Sequence, residues 1–297
     1  MAKWNANDIA DQKGRLVVIT GATSGIGLEA ARVLAGKNAS VIIAARNTNK
    51  AEAVSGGIRE EFPAADISVR ELDLTSLKSI AAFADSILAD FDRLDVLINN
   101  AGIMACPFAK TADGFEIQMG TNHLGHFALT GRLMPLLKKT GGSRLVVVSS
   151  VGHKFGNIDF SDLNWETRKY KTNNAYFDSK LANLYFTYEL ARRLGENGSS
   201  PVVTAAHPGW TRTELQRHSG LISFLNNFFS QGVDMGALPT LRAGFDDAVE
   251  PGDYFGPSGF MEMQGDPVKV PSNARSHSAQ AARQLWQMSE ELTGIQY

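Results

Sequence analysis

Tyr176 and Lys180 stand four residues apart in Tyr-Phe-Asp-Ser-Lys, a spacing that puts both side chains on one face of a helix. A lysine ammonium near a phenol favours the phenolate by direct Coulomb attraction, so the pair predicts a tyrosine of lowered pKa that can act as acid or base. A second cluster is Thr20-Gly21-Ala22-Thr23-Ser24-Gly25-Ile26-Gly27. Its glycines let backbone amides approach a pyrophosphate, with the N-terminus of the following helix facing the charge. A tight turn needing positive φ accounts for one glycine there more comfortably than for three. The spacing GxxxGxG differs from the GxGxxG of ordinary dinucleotide folds and lacks the Gly-Lys-Ser/Thr ending of a triphosphate loop.

Arg46 follows Ala44-Ala45, where a cofactor carrying only a ribose hydroxyl usually meets an Asp or Glu. An arginine can form charge-assisted hydrogen bonds to a 2′-phosphate and stack on adenine, which predicts NADP(H), with NAD(H) as the weaker alternative. The plainer reading of Arg46 is a solvated surface residue.

These groups need a scaffold. Leu16 to Thr20, Val41 to Ala45, Ile67 to Leu72, Val96 to Ile98, Leu145 to Val148 and Val202 to Ala205 read as strands. Glu29 to Leu34, Ala51 to Glu61, Leu77 to Ala89, Thr121 to Lys139 and Ser179 to Leu194 read as helices between them. Continuously apolar strands alternating with helices predict an α/β fold, a doubly wound parallel sheet of Rossmann type with helices on both faces. Asn99-Asn100-Ala101-Gly102, Ser149-Ser150 and the Tyr176 segment then lie at or beyond the carboxyl ends of strands, the rim on which such sheets bind ligands. No linker divides the chain, so one domain over residues 1–297 is expected, with an irregular part after Pro208 and residues 209–297 supplying the substrate pocket. Residues 216–230, with Leu221-Ile222-Ser223-Phe224-Leu225 and Phe228-Phe229, read equally as packing helix, membrane-surface segment or substrate flap.

Composition narrows the field further. The 297 residues include 28 glycines, 43% are apolar and 20% are charged, which excludes disordered, collagen-like and coiled-coil chains. With 29 Lys and Arg against 31 Asp and Glu there is no basic footprint for nucleic acid. The one cysteine, Cys106, forms no intramolecular disulfide and reads as a small buried hydrophobe. A polar start and the lack of any long apolar run predict a cytoplasmic protein without an integral membrane segment.

The motifs together resemble the classical short-chain dehydrogenase/reductase family from about Gly14 to Pro208. TGATSGIG is similar to its cofactor turn, Asp73-Leu74 to its adenine contact, NNAG at 99–102 to its sheet-stabilising motif and YFDSK to its YxxxK pair. Thr121 to Phe127, Ser149 to His153 and Tyr176 to Asn183 further resemble the retinol-dehydrogenase-like and protochlorophyllide-reductase-like branch, which favours NADP(H). The resemblance implies Tyr176 as proton donor in carbonyl reduction, Ser150 as hydrogen-bond partner of the substrate oxygen, Lys180 as ribose ligand, and Asn122 as holder of a relay water. It further implies cofactor contacts from Gly21, Thr23, Ser24, Gly25, Ile26, Gly27, Arg46, Asn100, Ala101 and Gly102, and from Pro208, Gly209, Thr211 and Thr213 near the carboxamide and phosphates. A homodimer or homotetramer is expected, because family members often pair through their fourth and fifth helices.

The implied activity is NADP(H)-dependent interconversion of an alcohol and its aldehyde or ketone, on a small and fairly apolar molecule. The alternatives are an NADP(H)-sensing binding protein without turnover, or an epimerase or dehydratase using the same Tyr/Lys pair. The connection from Ser150 to Tyr176 is longer than in short classical members, which predicts extra wall or flap. Position 24 is serine where many NADP-preferring members carry a basic residue, so the phosphate contact rests on Arg46. Membrane-bound retinol dehydrogenases carry an N-terminal anchor that this reading does not find, an expectation against a retinoid-specific role. His123 and His126 read as core residues or as supports behind the site side chains, because no carboxylate or thiolate nearby completes a metal site, and no metal is expected. His153 and His207 flank the site and stay outside the catalytic set.

Overall fold

The computed structural model describes residues 3–195, 201–210 and 231–297. Eight strands form one sheet in the order β3-β2-β1-β4-β5-β6-β7-β8. They are β1 (Leu16–Thr20), β2 (Ser40–Ala45), β3 (Ile67–Glu71), β4 (Val96–Asn99), β5 (Arg144–Val148), β6 (Val202–Ala206), β7 (Tyr254–Pro257) and β8 (Pro267–Lys269). The pairings from β3 across to β7 are all parallel, and β8 joins β7 antiparallel. The expected parallel α/β sheet is therefore borne out, with one antiparallel strand added at its edge. Strand order reverses between β1 and β4, and their carboxyl ends open the crevice where such sheets hold ligands.

The central strands are largely apolar because both faces are covered, whereas the outer strands β3 and β8 carry Arg70, Glu71 and Lys269. Val18, Leu97, Leu145 and Val147 pack with Ile80, Phe83 and Ile87 of α3 (Leu77–Asp90), Phe127 and Leu133 of α4 (Gly125–Lys139), and Phe186 and Leu190 of α5 (Thr172–Gly195). Val17, Ile19, Val41 and Ile43 face the other way. They meet Ala31 and Leu34 of α1 (Gly25–Gly36), Ala51 and Ile58 of α2 (Thr48–Glu61), and Leu241 and Phe245 of α6 (Val233–Phe245). Alternate residues of β1 thus serve opposite cores, each large side chain contributing roughly 1.5–3 kcal/mol when fully buried.

The part after Pro208 is not irregular where it is described. It contains α6, the β7–β8 pair and α7 (Ala279–Thr293). Ser278 caps α7 by accepting from Ala281 N–H, and Gly294 ends it at φ 69°, a left-handed cap that glycine adopts without strain. Trp286 of α7 packs edge-on against Phe127 at 5.2 Å between ring centroids, and Tyr297 lies 4.8 Å from the same ring. The Tyr297 hydroxyl donates to the Phe127 carbonyl at 2.7 Å. Ile295 and Tyr297 lie so close to Gly131 of α4 that any side chain there would strike them. Among the described residues no helix is long and apolar enough to cross a membrane.

Candidate active site

The glycine turn joins β1 to α1. Gly21 (φ 69°) and Gly25 (φ 57°) occupy the left-handed region, and the N-cap Ser24 makes no side-chain cap. Among the described residues no side chain caps the first amides of α1, as a helix N-terminus that receives an anion requires. Thr23, Ser24, Gly25 and Ile26 are partly exposed, whereas Gly27 is buried. A Cβ on Gly27 would run into Asn100 Nδ2, and one on Gly21 would lie 2.8 Å from Ala101 Cα. These two glycines allow the turn and the NNAG segment to touch. Asn100 Nδ2 donates to the Thr20 carbonyl at 2.7 Å, while Asn100 N–H and Ala101 N–H both donate to Thr20 Oγ1 at 2.9 Å. Asn99 is buried and reaches Thr130 Oγ1 of α4 at 2.8 Å, tying β4 to that helix.

Arg46 is exposed just beyond β2, and Asp73-Leu74 follows β3. Asp73 Oδ1 accepts from Thr75 N–H at 2.9 Å and from its hydroxyl at 2.7 Å, so the carboxylate shapes its own turn. Gly209 follows β6 at φ 65°. Its N–H donates to His207 Nδ1 at 3.2 Å, and the Pro208 carbonyl accepts from Gln231 Nε2 at 2.8 Å. Thr211, Thr213 and residues 216–230 lie outside the described residues.

Tyr176 and Lys180 share a face of α5, with Lys180 Nζ 5.8 Å from the phenol ring centroid. Lys180 is buried and donates to the Val148 carbonyl at the end of β5, 3.1 Å away. Ser150 caps the short 3-10 turn Val151–Phe155, its Oγ accepting from Gly152 N–H at 3.1 Å, which leaves its proton to donate. Asn122 sits in a π-helical turn, Gly120–Leu124, that leads into α4; such turns concentrate at functional sites. Its amide clamps Ile103 on both sides, accepting from the N–H at 2.8 Å and donating to the carbonyl at 2.9 Å, and also donates to Ser179 Oγ at 2.9 Å. A Cβ on Gly102 would stand 3.3 Å from Asn122 Oδ1 and 3.4 Å from Lys180 Nζ. The fold thus brings Asn122, Lys180 and the NNAG segment together, with Tyr176 and Ser150 adjoining.

The electrostatics correct one expectation. Burial pushes the Tyr176 phenol above 10, and the pull downward comes from its hydrogen bond with Ser150. Burial also brings the Lys180 ammonium down to about 8. Desolvation sets the direction rather than the Coulomb attraction inferred from spacing: Lys180 Nζ stands over the ring, 5.8 Å from its centroid, and both groups are withdrawn from water. Tyr176 is consequently a protonated phenol at neutral pH.

The long connection after Ser150 packs against the residues that precede Asn122. Tyr170 donates to Glu116 Oε1 at 2.8 Å and accepts from Gln118 Nε2 at 2.8 Å, while Gln118 Oε1 accepts from Ala105 N–H at 3.0 Å. Trp165 packs edge-on against Tyr170 at 5.4 Å. The connection is thereby joined to the turn carrying Asn122 and to the segment after NNAG. Phe155 is exposed. Cys106 is half-buried rather than buried, its thiol pushed up by desolvation and by Glu116. Among the described residues no group of His, Cys, Asp or Glu could hold a metal.

Three of the four histidines stand against these segments, His153 and His207 where the sequence put them and His126, buried, behind Asn122. His126 and His153 contact the carbonyls of Asn122 and Ser150 at 3.0 and 2.7 Å, and His207 receives Gly209 N–H. The available signal was positional: His126 follows Asn122 by four residues and His153 follows Ser150 by three.

The short chain dehydrogenase family is matched over residues 15–221, and the chain belongs to that family. It is similar to human retinol dehydrogenase 12, 45% identical over 289 residues that cover 96% of this chain and 88% of the relative. The retinol-dehydrogenase-like branch is therefore the one the motifs indicated. A solved structure of an uncharacterised protein from Mycobacterium paratuberculosis is 44% identical, covers 100% of this chain and 99% of its own, and superposes with a TM-score of 0.84. A short chain dehydrogenase from Shigella flexneri, solved in complex with NADP, is 27% identical with a TM-score of 0.61, over 82% of this chain and 97% of that one.

Proposed function

We propose that the protein is an NADP(H)-dependent oxidoreductase that interconverts an alcohol and its aldehyde or ketone, with an apolar substrate. Membership of the family and the retinol dehydrogenase relatives support oxidoreduction between CH–OH and carbonyl. The observation that carries the reading is the convergence of Tyr176, Ser150, Lys180 and Asn122 beside the uncapped start of α1. Preference for NADP(H) rests on Arg46, and the NADP complex of the Shigella relative agrees with it.

The residues fit the cofactor. Gly21, Thr23, Ser24, Gly25, Ile26 and Gly27 would receive the pyrophosphate, Arg46 the 2′-phosphate, and Asp73 and Leu74 the adenine. Asn100, Ala101, Gly102, Tyr176 and Lys180 would line the ribose and nicotinamide, with Pro208, Gly209, Thr211 and Thr213 completing that end. Residues 209–297 would supply the substrate pocket within a single domain. When bound, the dinucleotide supplies or accepts the hydride.

The chain's own residues handle the proton. With its pKa raised, Tyr176 carries a proton at neutral pH and releases it from Oη to the substrate oxygen during reduction. Ser150 donates to that oxygen and stabilises the charge developing on it. Lys180, protonated below about 8, stands ready to return a proton toward Tyr176. Asn122 fixes the wall beside it through Ile103 and Ser179.

The test is oxidation of NADPH followed with a panel of aldehydes, ketones and quinones, retinal included because of the relatives' names. Turnover on an apolar carbonyl is expected. Tyr176→Phe should lose roughly 10²–10⁴-fold in turnover, the usual contribution of a positioned acid, while still binding NADPH. No turnover on any member of the panel, with tight NADPH binding, would favour a cofactor sensor instead. Arg46→Ala should erode the preference for NADPH over NADH, and an unchanged preference would remove Arg46 from the account.

A further inference from the structure

A hydroxyl accepts two hydrogen bonds and donates one, and at Thr20 the count can be completed. Both acceptor positions of Thr20 Oγ1 are taken by the N–H groups of Asn100 and Ala101 at 2.9 Å. Its proton must therefore go to an acceptor. Two are in reach, His126 Nε2 at 2.9 Å and the Ile98 carbonyl at 3.4 Å, and the nearer falls within normal hydrogen-bond range. Nε2 of His126 is then the bare nitrogen, and the ring proton sits on Nδ1, where it donates to the Asn122 carbonyl at 3.0 Å. The ring is 1% exposed, and burial keeps it neutral, as one donor and one acceptor require.

We propose that His126 is a positioning residue, an imidazole held as the Nδ1–H tautomer that joins the Thr20 hydroxyl to the Asn122 carbonyl and so fixes the glycine turn relative to the catalytic side chains. On one side of the ring stand Thr20, Asn100 and Ala101, the framework of the cofactor turn. On the other stands Asn122, whose amide holds Ile103 and Ser179, the latter adjacent to Lys180. Among the described residues no other side chain bonds to both the Thr20 hydroxyl and the Asn122 carbonyl. The two ring nitrogens serve two separate tasks, and they can be separated by substitution. In His126→Asn the amide nitrogen occupies the place of Nδ1 and keeps the donor to Asn122, leaving Thr20 without its acceptor. In His126→Gln the longer amide reaches the place of Nε2 and keeps a partner for Thr20, leaving the Asn122 carbonyl without its donor.

The inference rests on the oxidoreductase reading for its kinetic arm and stands apart from it in its spectroscopic arm. In the kinetic arm, NADPH affinity and turnover are measured for wild type and both variants. His126→Asn should weaken NADPH binding by about 2–10-fold with turnover nearly intact, and His126→Gln should lower turnover by about 2–10-fold with binding nearly intact, the range of one hydrogen bond. Equal losses in both quantities, tracking lost stability, would overturn the proposal, since a core-filling ring predicts no such split. In the second arm, 15N chemical shifts of the imidazole nitrogens are recorded on the full chain, the His126 signal being the one missing from His126→Asn. A protonated Nδ1 and a bare Nε2 are expected, and Thr20→Ser should preserve them. A protonated Nε2 refutes the proposal even in an active enzyme. A wild type that neither binds NADPH nor turns over, yet shows the Nδ1–H form, refutes the oxidoreductase reading and leaves the bridge standing.

Discussion

Replacing Lys180 by methionine should make the protein more stable at neutral pH while abolishing its activity. Burial brings the ammonium from 10.5 to about 8. Each pH unit of such a displacement is worth about 1.4 kcal/mol, so keeping the charge in the folded chain at pH 7 costs about 3 kcal/mol. Methionine fills a similar volume without charge. The Val148 carbonyl released by the substitution is not orphaned, because Asn183 Nδ2 also donates to it at 3.1 Å. Allowing for imperfect packing, a gain of about 1–3 kcal/mol is expected at pH 7. The sign of the pH dependence follows from proton counts. Between about pH 8 and 10.5 the unfolded chain keeps a proton that the folded chain has lost, so wild-type stability from this group rises with pH across that window. The methionine advantage should be full below pH 8 and largely gone above 10.5. Urea unfolding of the cofactor-free proteins at pH 7 and at pH 10.5 checks both statements. A variant less stable than wild type at pH 7, or an advantage equal at both pH values, would refute the reasoning.

Two further substitutions address other parts of the site. Gly27→Ala should destabilise by about 1–3 kcal/mol and weaken NADPH binding together, since its Cβ meets Asn100 Nδ2 and lies 2.9 Å from the Gly21 carbonyl; thermal unfolding and cofactor titration measure the two losses. Asp178 is buried and its carboxyl is pushed up to about 6, so its folded form holds more protons than the unfolded chain between about pH 4 and 6, and stability from this group falls as pH rises through that range. Asp178→Asn retains an oxygen for Asn157 N–H, bonded at 2.7 Å, and should gain about 1–3 kcal/mol at pH 7 and nothing near pH 3.5 in denaturant titrations.

Where the chain is apolar on both sides, sequence was enough. Leu16 to Thr20 is a strand residue for residue, because every side chain in it is β-branched or leucine and every one is buried. α1 begins at Gly25 rather than Glu29, since the glycine turn itself supplies the first helical residues. β7 escaped notice because Tyr-Phe-Gly-Pro contains a residue that weakens a strand and one that cannot donate to it; both stand opposite Val268 and Pro267 of the edge strand β8. α6 escaped likewise, as Pro239 lies inside it and proline argues against helix interiors. The members of the proposed catalytic set were visible as motifs. Their protonation was not: the raised phenol of Tyr176 and the histidine contacts depend on burial and on partners as distant in sequence as Thr20 and His126.

The aromatic stack of Trp286 and Tyr297 on Phe127 bears on how copies of this chain could associate. Pairing through α4 and α5 would require a neighbour to sit where the chain's own tail already rests, beside Gly131 and over Phe127 and Phe186. Such a dimer would have to evict two large rings and the Tyr297 hydroxyl bond before gaining any surface in return. Self-association along that helix pair is thus a contest between tail and twin, and the tail, being tethered, begins at the higher local concentration.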